Sequence, residues 1–257
     1  MLKRLQFLTS GESHGKGLLG ILDGLPAGIE ISEEYIDHQL KRRQMGHGRG
    51  GRMKIEKDHA QLWGGVRHGL TLGSPVGILI DNLDWKNWTK KMSVEPIQEK
   101  VKPVTLPRPG HADLAGVHKY GFGDIRNILE RSSARETTMR VALGSVCRKL
   151  LEDVGIYIGS RVVQIHNVKD ESNYKLTPDA MNERADISPV RCLDGNAEKE
   201  MINVIDDAKK AGDSVGGVFE VIATGVPYGL GSYTQWNNKI QARISTMMMS
   251  INAFKGI

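Results

Sequence analysis

Alternation of apolar and polar residues predicts several short strands along this chain of 257 residues. Residues 2–10, LKRLQFLTS, alternate and then meet the turn-forming letters GESHG. Residues 18–25 form an apolar run interrupted by glycine, which predicts a strand or a short helix. Further apolar runs predict strands at residues 62–66, 76–81, 157–164 and 217–224.

Apolar residues at helical spacing predict three helices. Ser32 can cap a helix over residues 33–43, EEYIDHQLKRR, in which Ile36 and Leu40 share one face. A third helix, capped by acidic residues, is predicted near residues 199–211. The longest pattern covers residues 135–155 and ends at a glycine; its apolar positions are Met139, Leu143, Val146, Leu150 and Leu151.

The segments between these elements predict loops. Residues 46–53 contain too much glycine for a helix, and residues 81–91 are polar. Residues 95–107 contain three prolines, which predict a loop or an edge strand. Strands and helices follow one another without a regular βαβ alternation, which favours an α+β fold with antiparallel sheets. No repeat or low-complexity linker divides the chain, so we expect one domain over residues 1–257.

Charge narrows the choice of partner. The net charge is +5, and residues 41–54 contain six basic residues and no acidic one: Lys41, Arg42, Arg43, Arg49, Arg52 and Lys54. Such a loop suits an anionic small molecule or nucleic acid. No apolar run approaches the length of a membrane span and no apolar signal core follows the start, so we expect the cytoplasm and no membrane partner. Cys147 and Cys192 lack a CxxC partner, which predicts reduced, structural thiols, with Cys147 on a buried helix face.

Three glycine-containing loops present candidate chemical groups. GESHG offers Ser13 and His14 after a predicted strand, and GHGRGGR offers His47, Arg49 and Arg52. In LPRPGHAD the prolines hold Arg108 extended, Gly110 permits unusual backbone angles, and His111 precedes a carboxylate by two residues. Each loop taken alone is more often a solvated turn than a site.

A fourth segment, ERSSARET, lies at the start of the longest predicted helix. Arg131, Ser132, Ser133 and Arg135 would present hydroxyls and cations beside the positive end of the helix dipole. An ordinary helix cap explains the serines but not the flanking arginines. Phosphate or carboxylate binding explains both.

Several familiar sites are absent from the sequence. It contains no GxxxxGK[ST] loop, no strand–GxGxxG–helix unit and no Cys/His cluster with zinc spacing, so no metal site is expected. Nucleic acid is the rival partner, but the basic loop lacks interleaved aromatic residues and no helix-turn-helix pattern is present. Arginines in four separate segments favour an enzyme that binds a small polyanion.

Six motifs together resemble the chorismate synthase family: GESHG, RRQMGHGRGGRM, GSPVGILIDNLDWKNW, RPGHADLAGVHKYG, DIRNILERSSARETTMRVALG and MSINAFKG. The resemblance runs from about residue 5 to the last residue. It implies a lyase that eliminates phosphate and a ring proton, anti, from 5-enolpyruvylshikimate 3-phosphate, in the shikimate pathway of aromatic amino-acid biosynthesis. It also implies reduced FMN as cofactor, NADPH as a source of reductant, a β-α-β sandwich of antiparallel sheets around helices, and a cytoplasmic homotetramer.

The resemblance also implies roles for individual residues. His111 corresponds to the proton donor to the departing phosphate, and His14 to a second catalytic histidine near the flavin. Substrate would contact Ser13, Arg43, Arg49, Arg108 and Arg135. FMN would contact Arg131, Ser132, Ser133, Asn252 and Ala253, and the nicotinamide nucleotide would contact Arg43 and Arg49.

The family continues past the AFKG motif near which this chain ends. The resemblance therefore implies that further flavin contacts and a deprotonating aspartate lie beyond residue 257, and that this chain is the family's domain without its C-terminal portion. Many relatives carry acidic residues where this chain has Asn237 and Gln241. An alternative hypothesis is a protein that binds flavin or anions without catalysis.

Overall fold

The computed structural model describes residues 4–51 and 55–257, which cluster into two compact units. The first unit comprises Met1–Leu40, Lys54–Val146 and Gly229–Ile257, and the second comprises Lys41–Met53 and Cys147–Tyr228. Arg52, Lys54 and residues 2–3 of the predicted first strand lie outside the described residues. The expectation of a single domain stays a prediction.

Ten strands and seven α-helices follow one another in a mixed order. The strands are β1 (Gln6–Ser10), β2 (Gly17–Asp23), β3 (Ala27–Glu30), β4 (Ala60–Gly64), β5 (Val66–Arg67), β6 (Leu70–Leu72), β7 (Val76–Asp81), β8 (Tyr157–Ile165), β9 (Val168–Lys169) and β10 (Gly217–Thr224). The helices are α1 (Glu33–Gln44), α2 (Asp113–Tyr120), α3 (Arg126–Leu129), α4 (Glu136–Asp153), α5 (Pro178–Ile187), α6 (Gly195–Lys210) and α7 (Ile240–Met249). Short 3-10 helices cover Leu83–Asn87 and Trp236–Asn238. These counts refer to the described part of the chain.

The first unit is built on an antiparallel sheet in the order β1-β2-β7-β4. One face of this sheet is buried, because alternate residues of β2 and β7 (Leu18, Leu22, Ile78 and Ile80) point into the core. Helix α4 packs on that face so closely that a Cβ at Gly20 would overlap the thioether of Met139. The other face exposes Leu8, Leu19, Ile21 and Trp63. A second antiparallel sheet of this unit has the order β3-β6-β5.

The loops that carry the predicted site residues of this unit follow β1 and precede α4. The turn that follows β1 carries Ser13 and His14, and the segment between α3 and α4 carries residues 130–135. Helix α2 packs on α3 at Gly116, where a Cβ would lie 2.5 Å from Ile128 Cγ2. This packing fixes the helix that follows the RPGHAD turn.

The second unit consists of a three-stranded antiparallel sheet, β10-β8-β9, and helices α5 and α6. Two apolar clusters form its core, one around Val190, Cys192 and Met201 and one around Met181, Ala185 and Leu193. Burial raises the pKa of Cys192 to about 12 and that of Cys147 to about 11, which keeps both thiols protonated at neutral pH. The described residues show both cysteines free, although Cys147 on α4 is only half-buried.

The strand and helix pattern confirms the predicted α+β class, and all pairings among the described strands are antiparallel. Residues 76–81 and 217–224 are strands as predicted, residues 18–25 form a strand over Gly17–Asp23, and Ile36 and Leu40 are fully buried. The prediction that residues 81–91 form only a loop was wrong, because Leu83–Asn87 form a 3-10 helix. The periodicity missed α2, α3, α5 and α7, whose mixed faces give weak apolar patterns.

Candidate active site

His14 lies in a turn that is held from several sides. Its Nδ1 lies 2.8 Å from Glu130 Oε2, and its backbone N–H donates to the same oxygen at 2.9 Å. The Glu130 side chain is fully buried, and Arg126 Nη1 lies 3.5 Å from its other oxygen. The Ser13 N–H also donates to the backbone carbonyl of Glu130. Both residues of the predicted Ser13–His14 pair are therefore anchored to one residue of the segment that precedes α4.

The His14 imidazole stacks on an indole. Its ring centroid lies 3.8 Å from that of Trp88, with 24° between the ring planes. Trp88 is itself fixed, because its Nε1–H donates to Asp84 Oδ2 at 2.9 Å. The guanidinium of Arg126 lies over the same indole at 5.3 Å. The ring of His14 thus has a defined plane as well as a defined Nδ1 partner.

His111 is held within the RPGHAD turn. Its Nδ1 lies 2.5 Å from Asp113 Oδ1, and the Asp113 side chain is fully buried at the start of α2. Asp113 Oδ2 accepts the Arg108 backbone N–H at 3.0 Å and Arg108 Nε–H at 3.1 Å. Arg108 Nη2 lies 3.1 Å from both ring nitrogens of His111. Gly110 supports this turn at φ 70°, a left-handed conformation that favours glycine.

The Asp113 carboxylate stays ionised at all but very low pH. Burial alone would raise the pKa of Asp113, but the hydrogen bonds from Arg108 and His111 outweigh burial and lower that pKa to about 2. The carboxylate can then accept a hydrogen bond from the imidazole in either its neutral or its charged form.

Arg135 lies in a buried ionic cluster. Its Nη1 donates to Asp58 Oδ1 at 2.6 Å, its Nε donates to Asn82 Oδ1 at 2.7 Å, and its Nη2 lies 3.5 Å from Glu56 Oε2. The residue is only 7% exposed. Direct substrate binding by Arg135 stays a prediction, and the observed contacts give it a structural task. Asn82 in turn donates to the carbonyls of Glu12 and Gly15, which flank Ser13 and His14.

The predicted flavin residues converge from two segments of the chain. Asn252 Nδ2 donates to the Ser132 carbonyl at 3.2 Å, and Ala253 follows at φ 71°. Ser133 Oγ donates to Ser13 Oγ at 3.1 Å, which joins a predicted cofactor residue to a predicted substrate residue. Arg131 donates to the Thr9 carbonyl and hydroxyl and to the Gly11 carbonyl, while the Ser132 hydroxyl donates to the Ile128 carbonyl.

The basic loop belongs to the second unit. Arg43 lies in the last turn of α1, and Arg49 is exposed with its Nε donating to the Met45 carbonyl at 3.1 Å. His47 contacts Asp206 through Nε2 at 2.8 Å, and its N–H donates to the Pro189 carbonyl. The loop is therefore anchored at His47 while the Arg49 guanidinium reaches solvent.

Sequence reasoning missed Glu130, Asp113, Trp88 and Asn82 as site residues. Asp113 carried a signal, because a carboxylate two residues after a histidine in a rigid turn can reach its Nδ1. Glu130 is the first residue of the ERSSARET segment, but nothing in the sequence shows which histidine it contacts.

Among the described residues, no group of three His, Cys, Asp or Glu side chains comes together as a metal-binding set. No helix in residues 4–51 and 55–257 has both the length and the apolar character needed to cross a bilayer.

A family model described as "Chorismate synthase" matches residues 5–257. The chain belongs to the chorismate synthase family. It is 53% identical over 255 residues to the chorismate synthases of Listeria welshimeri and Enterococcus faecalis, and 51% identical over 257 residues to "Chorismate synthase 2" of Bacillus cereus.

The shared fold extends through the whole of this chain. A structure titled "Crystal Structure of Chorismate Synthase" matches with a TM-score of 0.81 and 43% identity, over 100% of this chain and 69% of the other. In each of the three curated relatives named above, the match covers 98% of this chain and 66% of the relative's length. The chain thus spans just under two thirds of the length of these three curated relatives.

Proposed function

We propose that the protein containing this chain is a chorismate synthase, a carbon–oxygen lyase that converts 5-enolpyruvylshikimate 3-phosphate to chorismate. The carbon–oxygen bond to the phosphate breaks, the phosphate leaves with the bonding electrons, and loss of a ring proton completes the new double bond. The observation that carries the proposal is His111, fixed between a buried carboxylate and an arginine in a rigid turn. A leaving phosphate needs a proton donor and a cation, and this turn provides both.

His111 is the group that protonates the departing phosphate. A protonated imidazole becomes neutral as it transfers its proton, and the ionised Asp113 stabilises the charged form before transfer. Arg108 is 52% exposed in its side chain, so its guanidinium can rotate from His111 towards an arriving anion. His14, near the proposed flavin site, acts on proton transfer there.

The donor set around residues 131–133 and 252–253 fits FMN. The Ser133 hydroxyl, the Asn252 amide and the backbone of Ala253 are neutral hydrogen-bonding groups of the kind that hold the polar edge of a flavin. Arg131 and Ser132 hold this segment against β1 and α3 through their own hydrogen bonds. Reduced FMN, when bound, supplies electron density that assists cleavage of the carbon–oxygen bond.

Further arginines would bind the carboxylates and phosphate of the substrate. We assign Arg43, Arg49 and Arg108 to direct contacts with the substrate, with Ser13 as a hydroxyl partner. Arg135 is also assigned to the substrate's anions, in addition to its contacts with Asp58, Asn82 and Glu56. Arg43 and Arg49 would also contact NADPH where it serves as reductant. A guanidinium can donate two parallel hydrogen bonds to two oxygens of one carboxylate or phosphate, whereas a lysine ammonium acts as a point charge.

We further propose a cytoplasmic homotetramer. The support is the exposed apolar face of the first sheet, where Leu8 pairs with Ile21 and Leu19 pairs with Leu79 across neighbouring strands. Leu8 is 74% exposed and Trp63 is 71% exposed. A contiguous apolar face of this kind marks an interaction surface.

The test is anaerobic turnover of the phosphorylated enolpyruvyl substrate with dithionite-reduced FMN, followed by chorismate absorbance. We expect His111→Ala to lower kcat by roughly two to four orders of magnitude and to leave FMN affinity nearly unchanged, since the residue acts as a proton donor. His118→Ala, in α2 but outside the site, is the matched control and should retain turnover. Unchanged turnover in His111→Ala would contradict the assigned role.

A second measurement concerns the basic loop. Arg49→Ala should weaken substrate binding far more than FMN binding, because the exposed guanidinium is assigned to the substrate's anions. Equal losses of both affinities would count against that assignment. FMN or anion binding by the unaltered protein without any chorismate formation would favour the alternative of a binding protein.

A further inference from the structure

The two histidines of the site share one arrangement of partners. His111 Nδ1 faces Asp113 and His14 Nδ1 faces Glu130, at 2.5 and 2.8 Å. Both carboxylate side chains are fully buried. Each carboxylate also accepts a backbone N–H from the turn that carries its histidine, and each lies beside an arginine, Arg108 or Arg126.

This arrangement determines which ring nitrogen carries the proton of the neutral imidazole. An ionised carboxylate only accepts hydrogen bonds, so the Nδ1 that faces it must carry hydrogen. Nε2 is then the nitrogen with the lone pair when the ring is neutral. Arg108 Nη2 lies 3.1 Å from both ring nitrogens of His111, so the assignment there rests on the Asp113 carboxylate and not on this donor. The nitrogen that exchanges protons with ligands is therefore the one directed away from the carboxylate.

The imidazole is the nearer partner of each buried carboxylate. Burial of a carboxylate is costly unless it is paired. The arginine nitrogens lie 3.1 and 3.5 Å from these carboxylates, against 2.5 and 2.8 Å for the imidazole Nδ1 atoms. Glu130 reaches His14 across 116 positions of sequence, and Asp113 reaches His111 across two, yet the pairing is the same. The feature common to both sites is the orientation and tautomer of an imidazole.

We infer that Glu130 and Asp113 are positioning residues that hold His14 and His111 as Nδ1–H tautomers and present Nε2 for proton exchange. The inference rests on the proposed function for what the two histidines do, but the tautomers are properties of the folded chain. Trp88 adds a fixed ring plane at His14 only.

The test is nitrogen-15 NMR of the chain labelled at its eight histidines. Long-range proton–nitrogen correlations distinguish Nδ1–H, Nε2–H and imidazolium, and the His14 and His111 signals are assigned from their loss in His14→Ala and His111→Ala. We expect both rings to be Nδ1–H above the pH at which they lose their charge. An Nε2–H tautomer at either ring in the unaltered chain would overturn the inference, and the variants serve only to assign the two signals.

Two isosteric variants sharpen the test, and each serves as the control of the other. Asp113→Asn should shift His111 towards Nε2–H and leave His14 unchanged, whereas Glu130→Gln should do the reverse. Asp124→Asn is an additional control, because Asp124 accepts the N–H groups of Val104 and Arg126 and, among the described residues, makes no hydrogen bond or ion pair with a histidine. That variant should change neither ring. Unchanged tautomers in both Asp113→Asn and Glu130→Gln would overturn the inference.

Turnover separates this inference from the proposed function. We expect Asp113→Asn to lower kcat by roughly 10²–10⁴-fold with little change in KM, the pattern of a wrongly held imidazole. Loss confined to KM, with kcat intact, would contradict the positioning role. If the unaltered protein forms no chorismate while both rings are Nδ1–H, the proposed function fails and the assignment of the tautomers stands.

Discussion

The turns around His111 and His14 reach the same pairing by opposite routes. His111, its carboxylate and its arginine all lie within residues 108–113, so a single turn builds the site. His14 takes its carboxylate from residue 130 and its stacking partner from residue 88, and Asn82 holds its turn. The first arrangement is local and the second depends on two distant segments of the chain, residues 82–88 and residue 130.

This difference predicts different vulnerabilities. A local turn keeps its geometry while the surrounding packing loosens, because its hydrogen bonds close small loops. A site assembled from distant segments loses its geometry as soon as one of them moves. Substitution of the residues that hold the His14 turn, Asn82, Trp88 and Arg135, should therefore disturb the position of the His14 ring and leave that of His111 intact.

The largest effect should come from Arg135→Ala. Removal of the guanidinium leaves Glu56 and Asp58 buried without their cation, which should cost roughly 3–5 kcal/mol of unfolding free energy. Chemical denaturation monitored by near-UV circular dichroism measures the loss. Arg148→Ala is the control, since its pair with Glu152 is an ordinary i,i+4 ion pair within α4, worth about 0.5 kcal/mol. Equal losses for the two variants would show that the cluster is not the anchor of this region.

Asn82→Ala should have the next largest effect. The substitution removes the hydrogen-bond partner of Arg135 Nε and of the Glu12 and Gly15 carbonyls. The free energy of unfolding should fall by about 2–3 kcal/mol in total. Histidine NMR should show a broadened or shifted His14 signal and an unchanged His111 signal. Asn203→Ala, which removes an exposed amide of α6, should change neither signal. A shift of His111 equal to that of His14 would contradict the contrast between the two turns.

Acid should weaken the His111 turn through Asp113. The folded pKa of about 2 lies below the ordinary value of 3.8, so the carboxylate stabilises the fold above pH 4. That contribution, about 2 kcal/mol in full, is lost as pH falls through 4 towards 2. The unfolding free energies of the unaltered chain and Asp113→Asn should therefore converge by roughly 1 kcal/mol between pH 5 and pH 3. A constant difference over that interval would contradict the lowered pKa.

Trp88→Leu should have the smallest effect. Loss of the stacked ring should lower the free energy of unfolding by about 1 kcal/mol more than the loss of buried apolar area accounts for. Among the histidines, only the His14 resonances should broaden. Trp88→Phe keeps a stacking face and serves as the control, with most of the effect restored. If leucine and phenylalanine behave alike, the indole acts only as apolar filling.

Much of the fold could be predicted from the sequence. Apolar runs predicted β7 and β10 with their observed bounds, and helical spacing predicted the buried face of α1 at Ile36 and Leu40. Strand β7 and helix α1 each bury one face, so their periodicity is strong, whereas β10 was predicted from its apolar run and buries no residue fully. Helices α2 and α3 were missed because they are short and only one apolar residue in them, Ile128, is buried. The spacing of apolar residues does not reveal a helix that is stabilised mainly by contacts with neighbouring elements.

The sequence by itself determined the His111 turn, because Arg108, Gly110, His111 and Asp113 lie close enough along the chain for backbone angles to set their contacts. It also determined the family, through six motifs spread from residue 11 to residue 256. Only the tertiary structure decided that Glu130 meets His14, that Trp88 stacks on it, and that Arg135 is buried between Glu56 and Asp58. Contacts between distant segments depend on how the sheet, α3 and α4 pack together, and no local pattern of residue types encodes that packing.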